Sequence, residues 1–280
     1  MATAPLLAEL PEDQATGRIA EIYAEIRRFS GVTYVSSLQR HLATFPGMLE
    51  WAWAALRPAV TAGAIQEAGW RLAGMARLPP AAPVPAATLF EWEIDAASLA
   101  AIRAAAETFA RVAPVNLVMG ACLKRLLAGE RPAGGGGFPT GWTPPPPLPA
   151  VPATLDPASL DPARRALLMR LATTVGETPF VPGLYRQCAH WPGLLQWLAD
   201  TLAPRFAAPE TLAAGEAFRA AARAAAQGIV THLPPLAGAP PADARTLAGI
   251  GAAIDRYGQT SPELALFGRL ILDALPERTG

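Results

Sequence analysis

Tyr34–Pro58 reads YVSSLQRHLATFPGMLEWAWAALRP, and Phe180–Pro204 reads FVPGLYRQCAHWPGLLQWLADTLAP. The second stretch follows the first at an offset of 146 residues, with no gap. Ten of the 25 positions are identical: Val35/Val181, Leu38/Leu184, Arg40/Arg186, Ala43/Ala189, Pro46/Pro192, Gly47/Gly193, Leu49/Leu195, Trp51/Trp197, Leu56/Leu202 and Pro58/Pro204. Only one of these is alanine, so an Ala-rich composition does not produce the match. Solenoid repeats recur every ~20–50 residues, so a longer period predicts two copies of one module with room for a site between them.

The 280 residues are 51% hydrophobic and 16% charged, enough apolar surface to build a packed core and too little charge for a disordered chain. Lys+Arg and Asp+Glu both count 23, and no basic stripe points to nucleic acid. The uncharged run from Pro132 to Leu155 is broken by Pro and Gly and does not read as a membrane helix. The start, MATAPLLAELPEDQ, lacks a positive n-region and a signal core, which predicts a cytoplasmic protein. Cys122 and Cys188 are far apart, form no CxxC or CxxxC pair, and read as two buried free thiols.

GERPAGGGGFPTGWTPPPPLPAVPATLDP, residues 129–157, joins a flexible Gly run to a stiff Pro run. It can be neither helix nor central strand. The chain therefore divides into an N-terminal helical repeat (1–129), a Gly/Pro-rich strap (130–157) and a C-terminal helical repeat (158–280). Phe138, Trp142 and Leu148 favour a strap that wraps the surface.

Everything else reads as helix, so the predicted class is all-α. Ile19, Ile22, Tyr23, Ile26 and Phe29 form one apolar stripe at three- and four-residue spacing, stopped by Gly31. Ser36 or Ser37 can cap a short helix through Ala43, and Pro46 can open the next. Further helices are expected at about 64–77, 96–111 (capped by Asp95) and 116–127. In the second half they are expected from 162 to about 174 and near 183–190, 192–203, 210–228, 241–256 and 261–275. No period-2 strand is evident. Val112–Leu127 also resembles Tyr257–Leu272, which aligns Asn116 with Ser261. The modules, about 10–128 and 158–276, are expected to superpose about a pseudo-twofold axis as a pseudo-dimer within one chain.

Few residues suggest chemistry by themselves. His41, His190 and His232 have no ligand-like spacing, there is no HExxH, and no metal or cofactor is expected. GGGG at 134–137 lacks the strand and helix of a phosphate loop. Trp51, Trp53, Trp70, Trp191 and Trp197 sit at core spacing. Arg40 and Arg186 are the same residue in both copies. Each can tie its helix to a carbonyl or carboxylate in its own module, or both can face a shared cleft and hold an anion. Asn116, at the start of the expected helix in VAPVNLVMGACL, can be a cap or a pocket residue at a helix N-terminus.

The stretch EIYAEIRRFSGVTYVSSLQRHLATFPGMLEWAWAALRP, its second copy LYRQCAHWPGLLQWLADTLAP, and PVNL around Asn116 together resemble the group I 2-haloacid dehalogenases, the DehI-like or halocarboxylic acid dehydrogenase family. The resemblance covers both halves. It implies an all-α fold of two pseudo-repeats joined by a strap, with the active site between them. It also implies a hydrolase in which an aspartate of the second repeat activates water, and the water displaces halide next to a carboxylate with inversion, without metal or ester intermediate. The family asparagine maps onto Asn116, and Arg40, Arg186, Ser37 and Tyr257 are the candidates for holding substrate. The aspartate should precede Arg186, where this chain reads GETPFVPGLYR, and the only acid is Glu177. The expectation is therefore a dehalogenase-like protein with little or no turnover of 2-haloacids, in which Gly183→Asp or Leu184→Asp would supply the missing carboxylate. The alternative is a non-catalytic small-carboxylate binder on the same scaffold, with a homodimer as a further possibility. A second resemblance, of ATGRIAEIYAEIRR and the PG break, is to AhpD-like and carboxymuconolactone-decarboxylase-like helical proteins, but their redox members need a Cys pair that this chain lacks.

Overall fold

A computed structural model describes residues 8–175 and 178–277. The order is α1 (Gly17–Ser30), α2 (Ser37–Leu42), α3 (Met48–Thr61), α4 (Ala64–Met75), α5 (Ala86–Glu91), α6 (Ala96–Leu127), α7 (Pro162–Arg170), β1 (Thr173–Val175), β2 (Thr178–Phe180), α8 (Gly183–Cys188), α9 (Pro192–Leu202), α10 (Pro209–His232) and α11 (Ala244–Ala274). The all-α expectation holds. Among the described residues the one departure is a two-stranded antiparallel hairpin, β1–β2, in which Thr173 faces Phe180. The bounds of α2 recur in α8 at the 146-residue offset of the sequence repeat.

Local signals explain many boundaries. Gly31, left-handed at φ 62°, ends α1, and its N–H returns to the carbonyls of Arg27 and Arg28. Asp95 caps α6 by accepting from Ser98 N at 2.7 Å, and Asp161 and Asp243 cap α7 and α11 in the same way. Pro192 opens α9, but Pro46 lies two residues before α3, whose start is set by Gly47 at φ 74°. The helix expected to run to residue 174 stops at Arg170, before the hairpin.

Two expectations are corrected. Residues 96–127 form one helix rather than two, and so do residues 244–274. Pro114 and Pro262 lie inside these helices. An interior proline costs a helix ~3 kcal/mol in isolation, because it removes one hydrogen bond and crowds a carbonyl. Packing offsets the cost at Pro114. Gly69 of α4 lets its backbone press against Pro114, where a Cβ would come within 2.8 Å of the proline carbonyl carbon. The Trp70 indole N–H donates to the Arg111 carbonyl at 3.0 Å, beside the break.

Helices α6 and α11 run antiparallel in close contact. A Cβ on Gly268 would meet the Ala106 carbonyl oxygen at 2.9 Å, and one on Gly120 would meet Ile254 at 3.3 Å. Arg103 reaches the carbonyls of Leu272, Leu275 and Pro276 at the end of α11. Both long helices are shared by two apolar cores. The first takes Val118, Cys122 and Leu126 from α6, Ile250 and Ile254 from α11, and much of α1–α4 and α10. The second takes Ile102, Ala105 and Phe109 from α6, Phe267, Leu270 and Ile271 from α11, and residues of α5 and α7–α9. The repeated Pro-Gly pairs are also packed from the opposite half: Gly47 lies against Pro241, and Gly193 against Trp92.

The strap follows the surface without regular structure. Phe138 and Trp142 pack on the first core, and Leu148 N donates to the Gly31 carbonyl at 3.0 Å. Trp142 lies over Gly63, which is left-handed at φ 76° and whose Cβ would fall 2.3 Å from the indole. Gly63→Ala should therefore destabilise the fold by roughly 2–3 kcal/mol, from backbone strain and loss of the strap contact. Gly74→Ala, in a helix with open space around it, should instead stabilise by about 0.5–1 kcal/mol. Urea midpoints of the two variants check both signs.

Candidate active site between the two copies

A cavity of about 50 Å³ lies where α6 and α11 meet the starts of α2 and α8. This is far below the ~300–1,000 Å³ of drug-sized pockets and leaves room only for a small molecule. Both copies of the repeat line it at the same offset: Tyr34 with Phe180, Ser36 with Pro182, and Ser37 with Gly183. From α6 come Phe109, Val112, Ala113 and Asn116, and from α11 come Tyr257, Thr260, Ser261 and Leu264 at the same spacing. That spacing is one helical face, so each long helix presents a single stripe to the cavity.

The two sides differ in chemistry. The α2 side offers serine hydroxyls, whereas the α8 side offers Phe180, Pro182 and Gly183. Ser36 Oγ donates to Gln39 Oε1, and Gln39 Nε2 donates to Asn116 Oδ1 at 3.0 Å and meets Met119 Sδ at 3.2 Å. The relay fixes the Asn116 amide and leaves its nitrogen as the donor it can offer. Burial raises the Tyr34 hydroxyl pKa against the opposing pull of Arg40. Burial, then the neighbouring Tyr34, then the Glu9 charge, hold Tyr257 well above the usual tyrosine range. Both phenols stay protonated at neutral pH and can donate to an anion.

Of the residues singled out from sequence, Ser37, Asn116 and Tyr257 come together on the cavity wall. Asn116 is not a helix cap, because α6 runs through it. Arg40 stands behind the wall. Its Nη2 binds Glu9 Oε2 at 2.7 Å and donates to Ser37 Oγ at 3.2 Å. Arg186 turns to the strap and donates from Nε to the Leu155 carbonyl at 2.8 Å. Burial lowers its pKa, opposed by Asp156 and Glu9. Glu177 lies outside the described residues. Among the described lining residues there is no Asp or Glu. His41 is structural, holding the Ala8 carbonyl through Nδ1 at 2.8 Å. Cys122 and Cys188 are buried free thiols, each pushed up by burial to about 12. Among the described residues, no group of three or more His, Cys, Asp or Glu gathers, and no helix is long and apolar enough to cross a membrane.

Sequence reading missed Tyr34, Gln39, Glu9 and Glu263. Tyr34 and Phe180 carry a recoverable signal, an aromatic opening both copies. Glu263 of α11 accepts from Tyr185 Oη at 3.2 Å. Burial raises its carboxyl to about 7, against the lowering pull of hydrogen bonds from Tyr185 and Thr173. It is not among the residues lining the cavity.

Two outcomes follow. Asn116→Ala orphans the Gln39 amide, which is left with a weak sulfur acceptor. It should cost roughly 1–2 kcal/mol in urea unfolding, through lost hydrogen bonding rather than a lost cap. Glu263 has a folded pKa above its unfolded value near 4.5, so the native state holds its proton longer. Stability is then lost as pH rises from about 4.5 to about 7 and stays lower above that. Glu263→Gln, which cannot ionise, should show none of this loss. Its stability relative to the unmodified protein should rise by roughly 1–3 kcal/mol between pH 4.5 and pH 8.

No protein-family model matches the chain, and no curated protein matches it. Solved structures do. A D-2-haloacid dehalogenase mutant in complex with D-2-CPA aligns over 98% of this chain and 99% of its own, with TM-score 0.77 and 19% identity. A D-2-haloacid dehalogenase with L-LA aligns over 96% of both chains, with TM-score 0.75 and 19% identity. A further D-2-haloacid dehalogenase mutant covers 98% of this chain and 99% of its own at TM-score 0.72 and 18% identity. From end to end, this chain has the fold of the D-2-haloacid dehalogenases.

Proposed function

We propose that the chain is a dehalogenase-like protein whose central cavity, enclosed by its two modules as a pseudo-dimer, binds a small 2-substituted carboxylic acid but turns over 2-haloacids slowly or not at all. The observation that carries this reading is the composition of the cavity wall. Tyr34, Ser37, Asn116 and Tyr257 offer donors for a carboxylate, a halide or a water, and the small volume limits the ligand to a few carbons. Direct displacement of halide also needs an ionised carboxylate within hydrogen-bond reach of that water. The described lining residues supply none. The buried, unpaired cysteines suit the reducing cytoplasm.

Hydrolysis is the second reading. It is favoured by Asn116, which stands on the wall with its amide oriented, and by Glu177, the one acid between residues 176 and 186. Chloride release from each enantiomer of 2-chloropropionate separates the two. The first reading expects release at background from the unmodified protein, with measurable binding of the acid by calorimetry. Gly183 lies on the cavity wall, and a Cβ there meets only the tip of Phe109 at 3.1 Å. Gly183→Asp should therefore place a carboxylate in the cavity and raise release above background. Clear turnover by the unmodified protein, abolished in Glu177→Gln, would replace the first reading with the second.

A further inference from the structure

Directly behind the cavity wall lies an anion site that the protein itself already fills. The Arg40 guanidinium lies over the Tyr34 ring at 5.4 Å, and its Nη2 bonds Ser37. Both neighbours line the cavity. The anion on Arg40 is Glu9, bound through Nη2 at 2.7 Å, with each side chain about one-quarter exposed. Glu9 belongs to a short segment laid across α2. Leu10 N donates to the Arg40 carbonyl at 3.0 Å, the Ala8 carbonyl meets His41 Nδ1 at 2.8 Å, and Tyr23 Oη donates to the Leu10 carbonyl at 3.1 Å.

Arg40 is not saturated by these contacts. Its Nε is buried and has no hydrogen-bond partner among the described residues. Arginine binds a carboxylate best through two parallel N–H···O bonds, and leaving one buried donor unmet costs free energy. Glu9 engages only one edge of the fork. A free carboxylate that reaches past Ser37 can use Nε and Nη2 together, which a carboxylate tethered to the 8–14 segment does not. The charge of Glu9 also reaches Arg186, Tyr34 and Tyr257, so its departure would change the field across the whole site.

We infer that Glu9 is an internal stand-in for a ligand carboxylate: a small monocarboxylate entering the cavity binds Arg40 by taking Glu9's place, and the 8–14 segment detaches from α2 as it does so. This rests on the reading of the cavity as a small-carboxylate site. Arg40 is then the residue that selects acids over their neutral analogues, and Glu9 sets the concentration at which they are admitted. A ligand that must first displace an internal competitor binds with its intrinsic affinity reduced by the fraction of open site.

The test is calorimetric titration of both enantiomers of 2-chloropropionate into the unmodified protein, Glu9→Gln and Arg40→Met. Glu9→Gln should bind about tenfold more tightly, since the competing charge is gone, and Arg40→Met should lose binding. Equal or weaker binding by a folded Glu9→Gln, or binding retained by Arg40→Met, would overturn the inference while the cavity reading stands. No binding by either the unmodified protein or Glu9→Gln would overturn both. Hydrogen exchange on the unmodified protein gives a second readout that needs no variant. The Leu10 amide should lose protection at saturating ligand, and unchanged protection with ligand bound would also overturn the inference.

Discussion

The contact between α6 and α11 is the constraint on which the rest depends. Two helices of 32 and 31 residues lie antiparallel, close enough that Gly268 meets the Ala106 backbone and Gly120 meets Ile254. Any larger residue at Gly268 would have to push backbone aside. Because each helix is longer than one core, each lends one end to the first core and the other end to the second. The two cores are therefore joined through these helices and not by the strap alone. Separating them would expose apolar faces on both, at roughly 25 cal/mol for every Å² uncovered.

The same contact makes the cavity. Near the middle of the pair, α6 and α11 present Asn116 and Tyr257, and α2 and α8 close the ends. Positions related by the 146-residue sequence offset line it, and they differ in polarity. Serines and the oriented Asn116 amide stand on one side, with Phe180, Pro182 and Gly183 on the other. Here one side offers hydrogen-bond donors, while the other is lined by apolar or small residues. The fold is that of dehalogenases, but function lives in the side chains placed on it.

The repeat was legible in the sequence because ten identities at a single offset leave little room for coincidence. The all-α class was legible in the three- and four-residue apolar spacing, and the Asp95 cap in its local sequence; of the four residues expected to hold substrate, Ser37 and Tyr257 line the cavity and Arg40 and Arg186 do not. The long helices were not legible. Pro114 and Pro262 carry strong local break signals, and only tertiary contacts such as Gly69 on Pro114 override them. That misreading also turned Asn116 into a cap. The Glu9–Arg40 pair had no local signal, since 31 positions separate two ordinary surface-type charges. The raised carboxyl of Glu263 depends on its burial beside Tyr185, which no spacing rule announces. Where the sequence succeeded, the information was periodic or adjacent. Where it failed, the information lay in what the folded chain brings together.

The central claim is that a small carboxylate is held in the cavity at the crossing of the long helices, against the Asn116 amide. Side-chain amide resonances report this directly, because Asn116 and Gln39 share one hydrogen bond and only Asn116 is on the cavity wall. Titrating 2-chloropropionate into nitrogen-15-labelled protein should shift the Asn116 amide most and the Gln39 amide next, while exposed asides such as Gln196 stay in place. Saturating ligand that leaves the Asn116 and Gln39 amides unmoved would contradict the account.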